Sequence, residues 1–142
     1  MNEIITLKKE DYCKVREIEE YIEKKINFHQ HNLSVCYPEN YFMSTYTQKQ
    51  IKKLEEYRES LQDIILNSLK EKELEDGERK TPITIKQATT LMHLYDYLED
   101  IQYKYYVDLE KDNSERSKKY FNDKISELNI YCRVLKSNFE FM

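Results

Sequence analysis

Three side chains with metal-binding chemistry lie close together in this chain: His29, His31 and Cys36, in an H-x-H-x₄-C spacing. Imidazole nitrogen and thiolate sulfur are zinc ligands, and a structural zinc takes four of them. Glu39, His93, Cys13 or Cys132 would have to complete the set, and the spacing is not that of an established zinc finger. The plainer reading is a surface histidine pair beside a packed cysteine. The Glu-x-x-His pairs by which helical bundles hold two metals are absent.

A second group is electrostatic. Asp96, Glu99, Asp100 and Tyr103 stand at i, i+3, i+4 and i+7, so a helix carries them on one face. Acids mixed with tyrosine imitate the charged, stackable surface of a nucleic acid. They also suit docking on a basic protein, where the acids steer and the ring anchors. The competing reading is a solvated face with Lys104 as counter-charge. A third histidine, His93, falls between two apolar rows of the same segment and reads as a partly buried, hydrogen-bonded residue rather than a phosphoryl acceptor.

Catalytic signatures are otherwise missing. With one glycine in 142 residues there is no phosphate-cradling loop. There is no Gly-x-Ser-x-Gly elbow, no Cys-x-x-Cys and no arginine four to six residues ahead of a histidine. A non-enzymatic role without cofactor is therefore expected.

The elements that position these groups follow from composition and periodicity. One Gly and two Pro are too few for a many-turned β fold, and 13% aromatic content is too high for a disordered chain. A single domain over residues 1–142 is expected, long enough to bury a core. Val15, Ile18, Ile22, Ile26 and His29 step at helical spacing and predict a helix over 7–29, with Thr6 as its cap. Thr47 and Gln50 have capping-box spacing ahead of Ile51, Leu54, Tyr57, Leu61, Ile64 and Leu69, predicting a helix over 48–75. Residues 73–80 are almost all charged, and Gly77 suits a left-handed helix stop. Thr81-Pro82 reads as a turn, and Thr84 with Gln87 as the capping box of a helix over 85–111.

That third segment looks central, because Ile85, Ala88, Leu91, Leu94, Leu98 and Ile101 form one row and Met92, Tyr95, Tyr103 and Tyr106 a second. Asp112 and Glu115 read as a further capping box before Phe121, Ile125, Leu128, Cys132, Leu135 and Phe139, a helix over 114–138. The fold class is thus all-α: four long helices in a mostly antiparallel bundle. Residues 30–46 lose the period and predict a long irregular loop, whose Tyr37, Tyr41 and Phe42 are candidates for partner contact.

Net charge is −4 and the sequence pI about 5.5, which argues against direct nucleic-acid binding. No apolar run approaches the length of a membrane span, no leader is evident, and three cysteines without motif spacing suit a reducing cytoplasm. In size, charge and vocabulary the chain looks like small acidic accessory proteins of phages and mobile elements, among them inhibitors of host nucleases and CRISPR effectors. No motif carries that likeness. The expectation is a protein-binding module that occludes a basic surface. A metal- or ligand-binding regulatory bundle and a self-associating structural protein, such as a homodimer, are the alternatives.

Overall fold

The structure, a computed structural model, describes residues 2–35, 41–71, 74, 77–112 and 114–139. Its elements are strand β1 (Asn2–Leu7), helix α1 (Lys9–Val35), helix α2 (Tyr41–Lys70), strand β2 (Arg79–Thr84), helix α3 (Ile85–Lys111) and helix α4 (Glu115–Asn138). The protein is therefore predominantly α-helical, with four helices among the described residues, and carries a small two-stranded sheet that the sequence reading lacks.

The buried rows are those that periodicity marks. Val15, Ile18, Ile22 and Ile26 of α1 meet Leu54, Leu61 and Ile64 of α2 and Leu91, Leu94 and Leu98 of α3. Leu128, Cys132, Val134, Leu135 and Phe139 close the core from α4 and its end. The main helix contacts are α1 with α2 and α3 with α4, followed by α1 with α4 and α2 with α3.

The ends of the first two helices differ from expectation. In place of a long irregular loop over 30–46, α1 continues to Val35 and α2 begins at Tyr41. These outer turns bury little: Val35 is 61% and Phe42 79% exposed. A helix that runs on past its packed core needs no apolar stripe, so the period fades while the backbone ladder persists. Thr47 accordingly lies inside α2, buried, rather than capping it. The far end of α2 stops at Lys70 instead of residue 75, and Leu69 is half exposed.

Between α2 and β2, Gly77 takes φ +81°, the left-handed conformation its position suggests. The Gly77 amide donates to the Leu74 carbonyl at 2.9 Å, and the Leu74 amide to the Glu78 carbonyl at 2.8 Å. A Cβ at Gly77 would lie 2.9 Å from Lys9 Cβ, so close approach also selects glycine here.

Arg79–Thr84, read from sequence as the end of a charged run and a turn, pairs antiparallel with β1 in the register Ile5↔Thr81 and Glu3↔Ile83. Side chains alternate: Ile5, Leu7, Thr81 and Ile83 point to the core, while Ile4 and Pro82 face outward. A proline is tolerated because both strands of a two-stranded sheet are edges. Thr6 belongs to β1 and does not cap α1.

Helix α3 starts as its sequence indicates. The Gln87 amide donates to Thr84 Oγ1 at 3.1 Å, and the Thr84 amide to Gln87 Oε1 at 2.9 Å, a complete capping box. Only one apolar row of α3 is buried. Ile85, Met92, Tyr103 and Tyr106 are exposed and Tyr95 is half-buried, so α3 is a flank helix and not a doubly covered centre. His93 is likewise exposed. The cap of α4 is Ser114, whose hydroxyl accepts from the Ser117 amide. Asp112 instead ends α3, and its carboxylate accepts from the Ser114 amide at 3.1 Å and the Ser117 hydroxyl at 2.7 Å. No helix among the described residues is long and apolar enough to cross a membrane.

Candidate partner-binding site

Asp96, Glu99, Asp100 and Tyr103 are all exposed on α3. At about 100° per residue they fall within roughly one quarter of the helix circumference. The opposite side of α3 holds Leu91, Leu94 and Leu98 in the core, so the strip cannot turn inward without exposing those residues. Tyr103 is 68% exposed, an unusual position for a ring of that size. Among the described residues, none of the three carboxylates has a salt bridge.

The strip borders a cleft of about 320 Å³ between α2 and α3. Asp96 and Asp100 line it together with His93, Tyr46, Lys53 and Lys104. At its floor Tyr57 and Tyr97 pack with ring centroids 5.9 Å apart. Burial and the Tyr57 neighbour push the Tyr97 hydroxyl up to about 12, and burial with Glu56 and Asp96 raises that of Tyr57. Both rings stay neutral and keep the cleft floor apolar.

Phe42, one of the residues singled out for contact, is highly exposed on the first turn of α2. It precedes Tyr46 by four residues and so shares its face. Phe42 and Tyr46 thereby present two exposed rings on one face of α2, of which Tyr46 lines the cleft. Tyr37 lies outside the described residues, as does the side chain of Tyr41.

The metal-binding trio is not assembled on the described residues. His29 and His31 sit two residues apart on continuous helix α1, which sends their imidazoles to nearly opposite sides. His29 packs edge-on against Phe28 at 5.7 Å, and burial together with Lys25 holds its pKa below the ordinary value. His31 is exposed, and Cys36 lies outside the described residues. Among the described residues no three His, Cys, Asp or Glu side chains converge as a metal site. Cys13 is exposed and Cys132 buried.

A second concavity escaped the sequence reading. Tyr21 and Lys25 from α1, Tyr105 from α3, and Tyr120, Lys124 and Tyr131 from α4 line a cavity of about 450 Å³. The signal that could have found it is a Tyr-x₃-Lys pair that occurs twice, at Tyr21/Lys25 and Tyr120/Lys124. Each pair shares a helix face, and the fold brings the two together. No family model, curated protein or solved structure matches the chain.

Proposed function

We propose that this protein binds another protein through the outer strip of α3 and blocks its basic, nucleic-acid-binding surface. The observation that carries the reading is the joint exposure of Asp96, Glu99, Asp100 and Tyr103 on one face of α3. Three carboxylates beside a protruding phenol meet a lysine- and arginine-rich surface with steering charge and an anchoring ring. Tyr46, in the cleft beside Asp96 and Asp100, and Phe42 one turn before it on α2 supply exposed rings for apolar contact. The net charge of −4 favours encounter with such a partner over contact with a phosphate backbone. Nucleases and CRISPR effectors of a phage host present surfaces of this kind, and a non-enzymatic phage inhibitor acting in the cytoplasm fits the chemistry.

The proposal takes the helices as a mostly antiparallel bundle, a rigid support for the strip. Cross-helix pairs support that arrangement: Asp11 with Asn138 and Tyr21 with Tyr131 run in opposite chain directions along α1 and α4.

The test is affinity capture from host lysate with the tagged protein and with an Asp96→Lys, Glu99→Lys, Asp100→Lys variant of unchanged circular dichroism. The expected result is a basic nucleic-acid-handling protein held by the wild type, released by added DNA and by raised salt, and lost by the variant. Undiminished capture by the variant, or capture indifferent to DNA, would refute the reading.

A further inference from the structure

We propose that the outer face of α3 receives a basic amphipathic helix of the partner protein, laid along it in the manner of a coiled coil from Ile85 to Tyr106. This rests on the reading of α3 as a protein-binding face and names the element that the face binds.

The face carries more than its acids. Ile85, Met92, Tyr103 and Tyr106 are 43–68% exposed on it. Among the described residues no other element carries so many large apolar side chains on one exposed face. Exposed apolar groups scattered singly are ordinary, whereas a contiguous row marks a contact surface. The core makes no use of these four, because Leu91, Leu94 and Leu98 fill it from the other side of α3.

The spacing points to a helix as the occupant. Ile85, Met92, Glu99 and Tyr106 stand at i, i+7, i+14 and i+21. Thr89, Asp96, Tyr103 and Glu110 repeat the interval four residues on. All eight are exposed. A seven-residue repeat slants by about 20° per repeat around a straight helix. The element that follows such a line over its whole length is a second helix crossing at a shallow angle, with side chains of each seated between those of the other. The row runs roughly 30 Å, enough for between about five and six turns of that helix. A loop or a flat sheet would meet only part of it.

The charge points to a basic helix. Asp96, Glu99, Asp100 and Glu110 flank the apolar residues, and no lysine or arginine of α3 lies among them. Lys86, Lys104 and Lys111 fall roughly 110° further around the helix, and Lys104 lines the cleft beside α2. A second copy of the chain docked on this row would set carboxylates against carboxylates, with Glu99 near the middle. Lysines and arginines beside an apolar stripe meet those carboxylates instead, as flanking charges select partners in coiled coils.

The experiment is an amide NMR titration of the full chain with three synthetic peptides of about four heptads each. The first has Leu at a and d and Lys at e and g. The second scrambles that composition so that no heptad remains, and the third replaces Lys by Glu. Saturable shifts along α3 between Ile85 and Tyr106 are expected with the first peptide, with Kd below about 100 μM. The scrambled and acidic peptides should bind at least about tenfold more weakly. Met92→Gln with Tyr106→Gln removes exposed apolar groups and leaves every acid in place. This double variant should keep the wild-type Tm and lose about tenfold in affinity for the first peptide. The inference is overturned if the scrambled peptide binds equally well, if the shifts fall away from α3, or if the double variant binds as the wild type does. Capture from host lysate separates the two readings. A partner lost by the Asp96→Lys, Glu99→Lys, Asp100→Lys variant but kept by the double variant overturns the helix and leaves the basic-surface reading standing. Specific binding of the first peptide by a protein that captures no basic partner overturns the occluding function and leaves the helix-binding face.

Discussion

Asn138 Nδ2 donates to Asp11 Oδ2 at 3.0 Å, joining the last residue of α4 to the first turn of α1 across 127 positions of sequence. The same amide donates to the Val134 carbonyl at 2.9 Å, and its Oδ1 accepts from the Lys8 amide at 2.8 Å. Asn138 is fully buried and Asp11 nearly so. One side chain therefore satisfies an orphan N–H at the start of α1 and a buried carboxylate together. Asn138→Ala strands both and is expected to lower unfolding free energy by about 2–4 kcal/mol. Asn138→Asp places two carboxylates in contact and should lose more at neutral pH, with partial recovery on acidification. Urea unfolding of both variants checks this, and a loss under about 0.5 kcal/mol for the alanine variant would show the clasp to be idle.

The β1–β2 ribbon belongs to the core and is not an ornament of the chain ends. Ile83 is 1% exposed, while Ile4 on the opposite face is 70% exposed. Ile83→Ala is expected to destabilise by about 2–4 kcal/mol through lost burial and a residual cavity. Ile4→Ala should stay within about 0.5 kcal/mol. Equal, small effects at the two sites would detach the ribbon from the fold's stability.

Stability should fall on the alkaline side. Burial, with Glu99 adding to it, pushes the Cys132 thiol up from 9.0 to about 11. The unfolded chain then releases this proton before the folded one does, so the thiol's contribution is complete below pH 9.0 and lost as pH rises towards about 11. Burial shifts the Tyr97 hydroxyl in the same direction, to about 12, and also raises those of Tyr21 and Tyr131. The urea midpoint is expected to be flat between pH 7 and 9 and to decline from there to pH 11, with a shallower decline in Cys132→Val. A midpoint unchanged up to pH 11 would contradict the burial of these groups.

Much of this molecule is written locally. Val15, Ile18, Ile22 and Ile26 declare the inner face of α1 by spacing alone, as Leu91, Leu94 and Leu98 do for α3. Thr84 and Gln87 announce their capping box, because both partners lie within one turn. Gly77 announces its left-handed turn, because no other residue type takes that φ so cheaply. The outward aim of Asp96, Glu99, Asp100 and Tyr103 follows from the helical repeat once the inner face is known. The outer turns of α1 and α2 were illegible, since apolar periodicity records what a helix buries, and helix beyond the core buries little.

Tertiary structure alone decided what joins distant segments. The pairing of Ile5 with Thr81 needs a partner strand more than 70 residues away, and six residues of β1 carry no mark of which strand that is. The bond between Asp11 and Asn138 has the same character, as does the meeting of the Tyr21/Lys25 pair with Tyr120/Lys124. A sequence pattern reports how strongly a residue avoids water. Which other residue it meets there is set by how the helices close on one another, and that depends on the whole chain at once.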